Sequence, residues 1–216
     1  MTAQQYIQDG LPVPYIARWS LERSATPRLA VRHFPDGPRL AFPAEQETLY
    51  DRDEYGALWV RQPLARGKGR ARLDTVHAMR QRRAILHSLC QMCRASAMVQ
   101  DHDRALYLLP AAHGPIGEGS ITAAPPVCIE CAPRAVEFCP RLRQGWTAVW
   151  AEFAPVWGVA GVIYDPRTLH PLPPPEGQKL TPIEYGEPRI RWTLAHRQVI
   201  QLHSVSPVHD LYKLAV

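Results

Sequence analysis

Five cysteines stand in this 216-residue chain, and four of them fall as two Cys-x-x-Cys pairs, Cys90–Cys93 and Cys128–Cys131, with 34 residues between the pairs. A two-residue gap lets both sulfurs of a pair face one ion, and two such pairs supply the four thiolates of a closed, tetrahedral Zn2+ site. The usual interval is about 15–20 residues, so an inserted loop is expected between the two knuckles. Four thiolates leave no open coordination position, so the zinc would be structural and its loss would unfold the module it holds. The second pair is followed by Ala-Pro-Arg-Ala-Val-Glu-Phe-Cys, with Pro133 near a helix start and no further breaker before Pro140. Cys131 is therefore expected to open a helix. Cys139, eight residues further on, reads as a small buried hydrophobe and not as a fifth ligand.

The second chemical signal is charge. From Arg61 to Arg83 there are eight basic residues against the single acid Asp74, a local charge of +7 that leaves −2 for the rest of a chain whose total is +5. A basic block on a nearly neutral body has the form of a phosphate-backbone footprint, carried here by Arg66, Lys68, Arg70, Arg72, Arg80, Arg82 and Arg83. A solvated, flexible face is the plain alternative. Arginine outnumbers lysine 22 to 3, a bias that GC-rich coding also produces, so the preference for Arg carries little weight. The Arg-Gly-Lys-Gly-Arg loop is not a P-loop, because no Ser or Thr follows Lys68 and the upstream glycine is missing. No Gly-x-Ser-x-Gly elbow, dinucleotide fingerprint or His-Glu-x-x-His helix occurs. His77, His87, His196, His203 and His209 lack metal-ligand spacing with a carboxylate and read as surface or satisfied core residues.

The stretch running from Arg82-Arg83 through Leu89-Cys90-Gln91-Met92-Cys93, Gln100-Asp101-His102-Asp103 and Pro126-Val127-Cys128-Ile129-Glu130-Cys131 resembles the HNH endonucleases over about residues 80–138. In that family a zinc-bound treble clef carries a one-metal nuclease site behind an arginine-rich helix. The resemblance implies His102 as general base and Asp101 as ligand of a catalytic Mg2+ or Mn2+. The chain departs from the family where Thr122–Val127 lacks an asparagine and where Ala132 and Pro133 replace a histidine; His113 is the nearest substitute. These departures favour the metal staple over the nuclease. The knuckles are also similar to those of actinobacterial zinc-knuckle proteins of this size.

The elements that must hold these residues are short, because 22 prolines punctuate the chain. Three regions are expected: a Pro-rich strand-and-turn region with the basic loop (1–70), a basic helix with the four-cysteine module (71–140), and a β-hairpin region (141–216) with a Pro-rich loop at 166–182. Extended segments are expected near Leu29–Phe34, near Leu58–Val60 with Trp59 on the opposite face, and at Ala105–Leu109 after a charged turn. Two more strands should meet near Pro155, and the tail should form a hairpin turning at His196–Gln198. A helix is expected to start at Asp74 and to bury Val76, Met79, Leu86 and Leu89. The predicted fold class is α+β, strand-rich, with a treble-clef-like zinc module and few short helices. No run of 18 apolar residues occurs, so no membrane span is expected; the first residues lack the basic start and apolar centre of a signal peptide, and a cytoplasmic protein with reduced cysteines is expected. The leading functional reading is a non-catalytic, zinc-stabilised nucleic-acid-binding protein, DNA being the expected ligand. The HNH-type nuclease and a zinc-scaffolded module meeting an acidic protein partner are the alternatives.

Overall fold

Proline and glycine break the first third of the chain into short extended pieces. The computed structural model describes residues 5–24, 27–99 and 102–215. β1 (Tyr6–Gln8) and β2 (Leu11–Val13) form one hairpin. β3 (Ala17–Trp19) follows, and β4 (Ala30–Phe34) and β5 (Gly37–Ala41) form a second hairpin. After the two-residue β6 (Leu58–Trp59), β7 (Ala71–Val76) returns antiparallel to β3 and leads straight into α1 (Ala78–Leu86).

The remaining elements build two larger sheets. They are β8 (Met98–Val99), β9 (Arg104–Pro110), β10 (Ile121–Thr122), α2 (Cys131–Phe138), α3 (Pro140–Arg143), β11 (Trp146–Phe153), β12 (Val156–Ile163), β13 (Thr181–Glu184), β14 (Thr193–Gln201) and β15 (His203–Val208). One sheet has the order β15-β11-β9-β8; the other has the order β10-β14-β12-β13, with β6 joined in parallel to β14. The strands meeting near Pro155 are not a hairpin with each other. Residues 146–163 and 193–208 instead run antiparallel to each other over their whole length, from Ile163 opposite Thr193 to Ala148 opposite Val208. This ribbon bends where Pro155 O accepts the Gln201 amide and passes from one sheet into the other. Gly158 and Gly161 permit the close approach of β12's neighbours, since a Cβ would lie 2.0 Å from Ile183 O and 2.3 Å from Leu194 O respectively.

β9 reads as a continuous apolar run because both its faces are covered. Leu106 and Leu108 pack toward the cysteines with Val127, Ala132, Ala135 and Trp150. Ala105, Tyr107 and Leu109 pack the other way, with Ile85, Val149, Ile200 and Leu202. Each fully buried Leu or Val here contributes about 1.5–3 kcal/mol. The sheets take strands from all three regions of the chain. The result is a strand-rich α+β arrangement with few helices, as the sequence indicated.

Two expectations are corrected. Asp74 does not cap α1, because residues 71–76 are held as a strand against β3 and the helix starts three residues later. There His77 is the cap, its Nδ1 accepting the Arg80 amide at 3.4 Å. The buried face of α1 is Ala78, Arg80, Gln81, Ala84 and Ile85, whereas Met79 and Leu86 are exposed. Polar residues can occupy that face because each finds a partner inside the protein. The expected tail hairpin is likewise absent: His196–Gln198 lie within β14, which has partners on both edges, and residues 188–192 form a 3-10 turn.

Candidate metal centre

Among the described residues, the four side chains with ligand atoms close enough to share one ion are Cys90, Cys93, Cys128 and Cys131, whose sulfurs all lie within 4.8 Å of one another. Cys93 Sγ and Cys128 Sγ are 3.7 Å apart. A tetrahedral ion with metal–sulfur bonds of about 2.3 Å sets its ligand edges at about 3.8 Å, so the spacing fits a bound metal.

The first pair lies in a tight turn closed by the bridge between Leu89 and Ser96. Cys90 N donates to Ala95 O at 2.7 Å and Arg94 N to Cys90 O at 2.9 Å. Amides also point at the sulfurs, Met92 N to Cys90 Sγ and Ala95 N to Cys93 Sγ, each at 3.4 Å. Arg94 takes the left-handed conformation, φ +72°, which a non-glycine residue adopts only when its surroundings hold it there. The second pair is a turn that continues into α2: Cys131 N and Ala132 N donate to Cys128 O at 3.0 and 3.1 Å. Cys131 opens the helix, as the sequence predicted. Cys139 packs at the margin of the same apolar cluster, and the group of four close sulfurs does not include it.

Burial and charge explain why the arrangement calls for a cation. Cys90 and Cys131 are buried, Cys93 and Cys128 half-buried. Two thiolates about 4 Å apart repel by about 4 kcal/mol at an effective dielectric near 20, so four cannot ionise together unaided. Hydrogen bonds from Cys128, then Cys131, lower the Cys90 thiol to about 7. The same donors hold Cys93 far below the usual thiol range. Hydrogen bonding to Cys131, Cys90 and Cys93 pushes Cys128 up. A divalent cation removes this conflict by stabilising all four thiolates at once.

The predicted basic footprint is divided. Lys68, Arg70, Arg72 and Arg83 are exposed, with Arg70 reaching Asp9. Arg80 is withdrawn from solvent: its Nη1 and Nη2 donate to Glu22 Oε1 and Oε2 at 2.6 Å each, and Nη2 also to Ala17 O at 2.6 Å. Arg82 stacks over Trp59 at 4.7 Å, and Arg66 over Tyr6 and Tyr15 at 4.8 and 5.2 Å, so both are half-buried. Arg80 is therefore no phosphate contact; its charge is used to satisfy Glu22, which is fully buried and also accepts the Trp19 and Ala65 amides. The sequence gives no local sign of this pair, because its partners are 58 residues apart. His102 lies in an exposed turn before β9, and Asp101 lies outside the described residues. His113 is exposed, within a short 3-10 turn. No helix among the described residues is long and apolar enough to cross a membrane. Comparison with protein families, curated proteins and solved structures finds no match for the chain.

Proposed function

We propose that Cys90, Cys93, Cys128 and Cys131 bind one structural Zn2+ and that this zinc module braces a basic layer that binds nucleic acid without cutting it. Zinc is the metal that four thiolates in a closed set select among common divalent ions. A turn bearing Cys90 and Cys93, the strand pair β8–β9 and a helix opened by Cys131 also match the order of a treble-clef finger. With all coordination positions filled by sulfur, this ion has none for a water or a phosphate.

The observation that carries the reading is the joint between knuckle and basic layer. Tyr15 N and Ile16 N donate to Met92 O and Gln91 O at 2.9 and 3.3 Å, and the next residues form β3, the partner of the arginine-bearing β7. Arg72 thus stands on a layer joined to the metal-binding turn, and Lys68 and Arg70 lie in the loop that leads into it. Phosphate contacts need such positioned cations but no catalytic group.

Duplex DNA affinity measured by fluorescence anisotropy from 50 to 200 mM salt tests the reading. Four exposed cations (Lys68, Arg70, Arg72, Arg83) predict a slope of about −3 to −4 in log K against log salt, or about a hundred-fold loss across that range. No binding, or binding indifferent to salt, would refute it.

A further inference from the structure

Arg18 and Arg72 are directly opposite each other in the β3–β7 ladder. Their neighbours Trp19 and Ala71, also opposite each other, are both buried in the apolar cluster with Val13 and Ala17. By strand alternation the two arginines therefore rise together from the opposite face. Like charges in directly opposed positions destabilise a sheet unless something of opposite charge lies between them.

A third guanidinium approaches Arg18 from the larger sheet, across the bulge of residues 73–75 that separates Val76 from Arg72. Arg197 of β14 donates through Nη1 to Val76 O at 3.2 Å and to His196 O at 3.1 Å. Val76 is the residue paired with Ala17, next in the chain to Arg18. Burial, and after it the charge of Arg18, lowers Arg197 to about 10. An anion at this point would oppose both effects by stabilising the charged guanidinium.

The local carboxylates do not supply that anion. Glu22 is committed to Arg80 and two amides and Asp9 to Arg70, while Asp74, two residues from Arg72 in β7, is exposed and forms no ion pair with it. Among the described residues no carboxylate is within ion-pair distance of Arg18, Arg72 or Arg197. Arg18 Nε is buried with no hydrogen-bond partner. Arg39 and Arg80 Nε are in the same state, but those guanidiniums have the carboxylates Asp36 and Glu22, whereas Arg18 has none.

We propose that Arg18, Arg72 and Arg197 form a clasp for a single phosphate group, either free or part of a nucleic-acid backbone. Planar guanidiniums bind a phosphate through paired N–H donors, and three of them suit a tetrahedral oxyanion better than a flat carboxylate. The clasp rests on the nucleic-acid reading for the source of the phosphate alone. Arg18 and Arg197 lie outside the basic block visible in the sequence: strand pairing sets Arg18 opposite Arg72, and Arg197 comes from β14 of the larger sheet.

The test is a side-chain NMR titration of the intact, metal-loaded protein, following the Arg18 Nε–H resonance during addition of inorganic phosphate and, separately, of duplex DNA. A saturable shift with both ligands is expected, weakened about ten-fold or more in Arg72→Gln and in Arg197→Gln, and unchanged in Arg167→Gln, an exposed residue of another loop. Arg72 is exposed, so Arg72→Gln keeps the test decisive should Arg197→Gln fail to fold. If phosphate shifts the resonance but DNA does not bind, the clasp stands and the nucleic-acid reading falls. If DNA binds while the resonance stays still and Arg72→Gln binds as tightly as wild type, the clasp falls and that reading stands. Silence from both ligands overturns both.

Discussion

Replacing Cys128 by serine exchanges a sulfur for a hydroxyl oxygen at the point where the two cysteine pairs approach to 3.7 Å. The damage spreads because α2, opened by Cys131, closes the apolar cluster of Leu106, Val127, Ala132, Ala135, Leu142 and Trp150. The cost should at least equal truncation of a buried leucine, about 2–5 kcal/mol. Its ceiling is the apparent zinc-binding energy of finger modules, about 10–16 kcal/mol, comparable with the whole stability of a domain, about 5–15 kcal/mol. In a chain of 216 residues each kcal/mol moves Tm by about 2–4 °C, so even about 3 kcal/mol lowers it by about 6–12 °C. The assay is a thermal melt of the zinc-loaded protein, of the same protein with a strong chelator, and of Cys128→Ser. Hydrogen exchange then locates the change. The amides of Cys90, Cys131 and Ala132 should lose protection together with those of Tyr15 and Ile16, whose acceptors are knuckle carbonyls. The β12–β14 ladder, whose core around Val159, Ile183 and Leu194 shares no residue with the sulfur cluster, should exchange later. An unchanged Tm on chelation, or a metal-free Cys128→Ser protein melting with wild type, would refute the reasoning.

Glu22→Gln leaves Arg80 buried and without its counter-charge, and should cost about 3–5 kcal/mol in urea unfolding; a midpoint within error of wild type would contradict the pair's role. Acid titration of stability should show the same residue. Burial drives the Glu22 carboxyl upward, but the Arg80 hydrogen bonds and the Trp19 and Ala65 amides together bring it below the usual carboxylate value. Its stabilisation is therefore complete above the unfolded-state value near 4.5 and lost as pH falls through the lower folded value, so Glu22→Gln should flatten stability at the acid end. His196 is lowered to about 4, first by burial and then by Arg197. The unfolded chain then binds the extra proton, so stability should fall as pH drops from about 6.5 toward 4, and less steeply in His196→Gln; equal slopes would count against it. Gly158→Ala sets a methyl 2.0 Å from Ile183 O and should cost at least about 1–3 kcal/mol by forcing β12 and β13 apart, as read from the urea midpoint. An unaltered midpoint would contradict the register.

The parts legible in the sequence were those whose cause is local. Cys-x-x-Cys spacing, a helix opened by Cys131 before the next proline, and the apolar runs of β9, β11 and β12 all follow from neighbouring residues. Residues whose role depends on distant partners were not legible. Arg80 reads as part of the basic footprint until Glu22 appears beside it, and Gln81 is held inside by Ala123 and Gln198; these partners inverted the expected face of α1. The tail was expected to turn at His196–Gln198, but the 3-10 turn at 188–192 precedes a strand through those residues whose limits are set by β12, β10 and β6. Arg18 carries no motif at all; only its register opposite Arg72 gives it significance.

X-ray absorption at the zinc edge, combined with metal analysis of the folded protein, addresses the central claim most directly. One zinc per chain surrounded by four sulfurs at about 2.3 Å is the predicted result. A folded chain without stoichiometric metal, or an ion bound through nitrogen and oxygen, would contradict it.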